Sequence, residues 1–190
     1  MARQGLRGVI ALAAALAVAA PASAGASSSS GGTSPDDGTP SSGNSSPSNP
    51  SARARISSDG RTAIAPNSAP PQVKRAIAAA NKLTRKPYRY GGGHGKWNDS
   101  GYDCSGSVSY ALHGGGLLKQ PLDSSSFMSW GRAGRGRWIT IYANSGHAYT
   151  VIAGLRFDTS SAGSGGGSGP RWRSRGRSSS GYVVRHPSGF

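Results

Sequence analysis

Tyr102-Asp103-Cys104-Ser105-Gly106-Ser107-Val108-Ser109-Tyr110-Ala111-Leu112 is the stretch on which the fold turns. Val108, Ala111 and Leu112 share one helical face, and Gly114 to Gly116 end the pattern. Asp103 stands where a helix N-cap belongs, its carboxylate toward the free amides of Ser105 and Gly106. Cys104 therefore falls on the first turn, where unpaired amides and the macrodipole favour a negative charge. It is the single cysteine of the chain, so no intramolecular disulfide can form. Such a thiol is inert and buried, paired between chains, or a working nucleophile. The polar Ser105, Ser107 and Ser109 around it speak for the nucleophile.

Downstream, Trp138-Ile139-Thr140-Ile141-Tyr142 and His147 to Ala153 are β-branched and aromatic. The polar turn Ala143-Asn144-Ser145-Gly146 between them predicts an antiparallel hairpin. Leu155-Arg156-Phe157 continues beyond Gly154 as a third strand, and Gly181 to Arg185 reads as a last short one. Residues 160–180 are rich in Gly, Ser and Arg and are expected to be a mobile loop. Upstream, Pro70-Pro71 opens a helix with Val73, Ile77 and Ala80 on one face, and Pro87 stops it. Helices preceding strands predict an α+β fold. Gly95-Lys96 in the glycine-rich segment does not make a nucleotide loop, because Trp97 stands where Ser or Thr is required.

The rest of the 190 residues reads differently. Arg3 and Arg7, the apolar run Val9 to Ala20 and Ala22-Ser23-Ala24 compose an export signal over 1–24. The run is too short for a bilayer core, which needs about 20 residues, and no other stretch could span a membrane. Residues 25–68 hold almost nothing to bury and are expected to be a disordered Ser/Pro/Gly-rich linker. One compact domain is left, 69–190. Loss of Arg3 and Arg7 lowers the formal charge from +15 by two, to +13; there are seven Asp and no Glu. Such a cation seeks polyanions. For an exported protein these are anionic wall polymers, wall carboxylates and lipid headgroups. Nucleic acid ranks below them, since no recognition motif accompanies the charge.

Four histidines are available to Cys104. His94 sits in a glycine loop, which positions a base poorly. His113 is nine residues along the same helix, about 13 Å away at ~1.5 Å per residue. His186 stands beside Pro187 near the end of the chain. His147 opens a strand directly after a turn, a rigid place from which to present a base. Spacing alone leaves it open between that role and a structural histidine.

Pro87-Tyr88-Arg89-Tyr90-Gly91-Gly92, followed by Asp103-Cys104-Ser105-Gly106, resembles the signature of NlpC-type papain-like cell-wall cysteine peptidases. Gly146-His147 followed by Ala148 to Gly154 resembles the strand that carries that family's histidine. The resemblance covers about residues 70 to 160. It implies a papain-like α+β domain with its catalytic helix packed on a small antiparallel sheet. It further implies that Cys104 is the nucleophile and His147 the base and then acid. Tyr88 and the Cys104 amide would stand at the oxyanion, with Ser105 beside the substrate. The third residue falls at Asp158 or Thr159. Asp158 is the better chemical choice, because a carboxylate fixes the imidazole tautomer, and a plain turn residue is the other reading of it.

The function so implied is a secreted, wall-localised, monomeric peptidoglycan endopeptidase working by thiol acyl transfer, with no metal or cofactor. A wall amidase or acyltransferase on the same scaffold is the alternative, as is a non-catalytic basic wall-binding module. Arg171-Trp172-Arg173-Ser174-Arg175-Gly176-Arg177 is either a solvated loop or a contact for an anionic polymer on which Trp172 stacks. Arg132, Arg135 and Arg137 pose the same choice, whereas Trp130 and Trp138 are expected in the core.

Overall fold

A computed structural model describes residues 53–160 and 169–190. The export signal and most of the expected linker lie outside the described residues. Residues 53–68, assigned to that linker from sequence, are instead folded. Strands β1 (Arg55–Ile56) and β2 (Ala63–Ile64) pair antiparallel, and Ala54 and Ala63 are buried in the core. The folded region thus reaches back at least to Arg53, before the expected boundary at 69. Strands of two residues are too short to register as a periodic pattern, which is why this hairpin reads as linker.

Helix α1 (Pro71–Leu83) starts on a proline at its first turn and buries Val73, Ala76, Ile77, Ala80 and Leu83. Helix α2 (Cys104–Gly114) packs against it and is buried along most of its length. Its serines are satisfied internally. Ser107 Oγ donates to Cys104 O at 2.8 Å, and Ser109 Oγ bridges the Leu122 amide and carbonyl at 3.0 and 3.2 Å. A single turn, α3 (Ser124–Phe127), is capped by Asp123, which accepts from the Ser126 amide at 2.7 Å.

The remaining strands are β3 (Arg132–Ala133), β4 (Ile139–Asn144), β5 (His147–Ile152), β6 (Leu155–Asp158), β7 (Arg171–Arg173) and β8 (Val183–His186). They form one antiparallel sheet in the order β3-β8-β4-β5-β6-β7. The domain is therefore α+β, as expected. The predicted β4–β5 hairpin forms with Asn144 opposite His147 and Ile139 opposite Ile152. Ile139, Ile141, Ala143, Ala148 and Ile152 face the helices and are fully buried. The alternate residues Thr140, Tyr142, His147, Tyr149 and Val151 turn to the other face.

Strand β7 lies inside the segment expected to be a mobile loop. Trp172 is 5 % exposed, packs on Phe157 with ring centroids 4.9 Å apart, and donates Nε1 to Asn81 Oδ1 at 2.7 Å. It is a core residue and unavailable for stacking on a polymer. Residues 161–168 lie outside the described residues. Trp138 is buried and Trp130 packs against the core, as expected.

Candidate active site

The site starts with how the glycine-rich loop meets α2. Asp103 caps the helix by accepting from the Gly106 amide at 2.7 Å, and its other oxygen accepts from the Gly91 amide at 3.0 Å. One carboxylate therefore ties the loop to the helix start. The Asp103 amide also donates to Gly92 O at 3.2 Å. A Cβ on Gly106 would overlap that carbonyl oxygen, and one on Gly92 would overlap the carbonyl of Gly101. The two glycines are spaced to let backbone approach backbone. Tyr88 bridges Tyr102 in parallel on the same loop, which brings its ring to the cleft above α2.

Cys104, at the first turn of α2, keeps 9 % of its surface exposed. Its sulfur is thus shielded from bulk water yet lines a cleft of about 440 Å³. Burial pushes the thiol pKa up, but hydrogen bonds from the His147 imidazole and the Ala148 amide more than offset this and leave it below its ordinary value. His147 Nε2 lies 2.9 Å from Asp158 Oδ1, so the other ring nitrogen, Nδ1, is the one free to face the sulfur. Burial alone would depress the imidazole. The bonds to Asp158 and Cys104 outweigh it and raise the His147 pKa to about 9.

Asp158, the last residue of β6, has a fully buried side chain. Burial would raise its pKa, yet the His147 contact and two hydrogen bonds from Ser160 hold it well below the usual carboxylate range. Arg177 Nη1 adds a contact at 3.2 Å to Oδ2, and Arg156 Nε one at 3.5 Å. Asp158 closes β6 as a buried carboxylate facing His147, Arg177 and Arg156. The neighbouring Thr159 is buried as well, but His147 is bonded to Asp158.

One arginine of the Arg-rich segment, Arg177, reaches this carboxylate. Arg177 also donates to Ser160 Oγ at 2.9 Å, and its guanidinium lies 5.4 and 5.3 Å from the ring centres of Tyr149 and Tyr182. Arg173 donates to Ser160 O at 3.0 Å, and Arg156 to Gly176 O at 3.3 Å. Residues 174–177 are exposed, as a solvated loop would be, while Arg173 and Arg177 also bond inward. No signal in the sequence links Arg177 to Asp158, 19 residues earlier.

The four histidines are now placed. His147 meets Cys104. His113 stacks on Trp97, centroids 3.8 Å apart, and His186 Nδ1 bonds Gly134 O at 3.1 Å. His94 departs from expectation. It is held by Asp103 Oδ1 at 3.0 Å and Ser105 Oγ at 3.2 Å and lines the same cleft as Cys104. Sequence reasoning passed over it as too loosely tethered; the Asp103 carboxylate supplies the tether. Ser105 is buried, its hydroxyl turned to His94 and Asp103.

A thiol, an imidazole and a carboxylate in series make this a site able to form a thiolate–imidazolium pair, the equipment of thiol acyl transfer. No protein-family model matches the chain, and no curated protein does. Among solved structures the chain is similar to that of the peptidoglycan hydrolase RipB from Mycobacterium tuberculosis, with 23 % identity and a TM-score of 0.46. That match covers 60 % of this chain and 64 % of RipB, less than two thirds of it.

Proposed function

We propose that the protein is a wall-directed cysteine peptidase of the papain-like NlpC type that hydrolyses peptide bonds in peptidoglycan stem peptides. The observation that carries the proposal is the position of His147, bonded to Cys104 on one side and to buried Asp158 on the other. The NlpC-type signature and the export signal read in the sequence supply the substrate class and the location.

In the reaction, the Cys104 thiolate attacks the scissile carbonyl carbon. The resulting oxyanion is received by the Cys104 amide at the helix start and by the Tyr88 hydroxyl. Burial and the charges of Cys104 and Asp103 raise the Tyr88 pKa, which keeps that hydroxyl protonated and able to donate. Collapse expels the amine, which takes its proton from the His147 imidazolium. A thioester remains on Cys104. His147, now neutral, removes a proton from water, which attacks the thioester and releases the new carboxylate and the thiol. Asp158 keeps the imidazole oriented throughout and stabilises its cation. The exposed carboxylate of Asp123 at the cleft suits a substrate bearing an amino group, as stem peptides with a diamino acid do.

Digestion of purified peptidoglycan by the mature chain and by Cys104→Ser, with fragments read by mass spectrometry, tests the proposal. New peptide termini from the wild type only are expected. Cleavage at the sugar–peptide amide would assign the site to an amidase, and equal fragments from both proteins would remove the peptidase.

A further inference from the structure

Away from the Cys104 cleft, the outer face of the sheet carries a pocket of about 220 Å³ walled by Arg53, Arg135, Arg137, Trp138, Thr140 and Tyr142. It shares no lining residue with the cleft. Val151, which also lines it, lies four residues beyond His147 on β5, about 14 Å along the strand at ~3.4 Å per residue.

Three arginines line this pocket, and no carboxylate does. No described ion pair involves Arg53, Arg135 or Arg137, whereas Arg89, Arg156 and Arg177 each lie within 4 Å of an aspartate. Like charges gathered around one concavity repel one another unless an anion enters. The arrangement is also built rather than incidental. The Ala54 amide donates to Ala153 O at 2.8 Å, and Arg53 Nη2 donates to Gly154 O at 3.2 Å, so the chain is pinned where Arg53 joins the rim. Ala153 and Gly154 both have positive φ, 46° and 82°, as a tight two-residue hairpin turn requires. A Cβ on Gly154 would come within 3.0 Å of the Arg53 guanidinium, so the bare turn is what admits it. On the other wall, Arg137 lies 5.8 Å from the Trp138 ring centre, which holds the cation beside an aromatic face.

We propose that this pocket is a binding site for phosphate groups. Guanidinium forks match phosphate oxygens in pairs, and three of them exceed what a single carboxylate can use. A repeating phosphodiester polymer is the ligand that satisfies all three. The inference does not depend on the chemistry of Cys104, so it is tested in a Cys104→Ser background.

The full chain is titrated with a glycerol-phosphate oligomer, with phosphatidylglycerol vesicles and with polyglutamate of matched charge, across a salt series. The proteins are the parent, Arg135→Gln/Arg137→Gln, Arg53→Gln, and Arg85→Gln/Lys119→Gln, which removes the same charge from two exposed residues outside the pocket. Binding of a phosphate probe about tenfold weaker in the pocket double variant, with a shallower salt dependence, is expected. Arg53→Gln should weaken it in the same direction, and the remote double variant by much less. Whichever phosphate probe binds identifies the source as polymer or lipid. Equal loss in the remote variant, equal binding of polyglutamate, or no binding of either phosphate probe would overturn the site. Thermal melting of each variant separates lost binding from lost fold.

Discussion

His147 Nε2 sits 2.9 Å from Oδ1 of Asp158, a carboxylate with no exposed side-chain surface that also receives Arg177 and Arg156. The imidazole is thus anchored to a buried charge network rather than to a surface loop. Asp158→Ala would leave Arg156, 5 % exposed, without its buried anion. The loss expected is about 3–5 kcal/mol of unfolding free energy, measured by urea denaturation, together with loss of hydrolysis. Asp158→Asn keeps the shape and should cost less stability while still impairing turnover.

Arg177 acts on the reaction only through Asp158, and the two properties should separate. Arg177→Ala removes bonds to Asp158 and Ser160 and the contacts over Tyr149 and Tyr182. We expect kcat to fall about tenfold through misorientation of His147, with KM little changed. Lysine is a point donor without the fork and should restore only part of it. A purely structural role would instead lower the melting temperature and leave kcat intact.

The pH dependence follows from the same groups. The active pair of thiolate and imidazolium exists above the lowered Cys104 pKa and below that of His147, about 9. The kcat/KM profile should therefore fall on its basic limb near pH 9, and Asp158→Asn should move that limb down, since it removes the bond that raises His147. For stability the signs oppose. Asp158, depressed from 3.8 when folded, contributes above about pH 4 and is lost as the pH falls further. His147, raised from 6.5, contributes fully below about pH 6.5 and is lost as the pH rises through 9. Unfolding free energy measured across pH should thus be highest between about 4 and 6.5 as far as these two groups govern it.

Asn81 clamps three pieces of the chain. Its Oδ1 accepts from the Ala63 amide at 2.8 Å and from Trp172 Nε1 at 2.7 Å, and its Nδ2 donates to Ala63 O at 2.9 Å. Asn81→Ala strands buried polar groups on β2 and β7 together. A loss of about 2–4 kcal/mol is expected by thermal or urea unfolding.

Gly106 explains part of the signature sequence in plain steric terms. Gly106→Ala would drive a methyl into the Gly92 carbonyl, both backbone positions that cannot yield cheaply. A cost of about 1–3 kcal/mol is expected, with loss of activity as the loop carrying Tyr88 lifts from the helix.

Much of the site was legible in the sequence because it is local. Asp103 capping α2, Cys104 on the first turn and His147 opening β5 each follow from a few adjacent residues. What was not legible depends on distance along the chain. Strands β1, β2 and β7 are two or three residues long, and their buried members, Ala63 and Trp172, stand close to Ser, Gly and Arg. Their burial is set by Asn81 and Phe157, residues far off in sequence. His94 looked untethered because its tether, Asp103, was already assigned as a cap. Arg177 looked like surface charge alone because the aspartate it pairs with lies on another strand.

The central claim is that Cys104 is held as a thiolate by His147. The chain has one cysteine, so the rate of iodoacetamide alkylation against pH reports on that sulfur alone. A reactive plateau reached well below the ordinary thiol range of about 8.5, shifted upward by His147→Ala, is the predicted result. An ordinary thiol titration in the wild type, unmoved by His147→Ala, would contradict it.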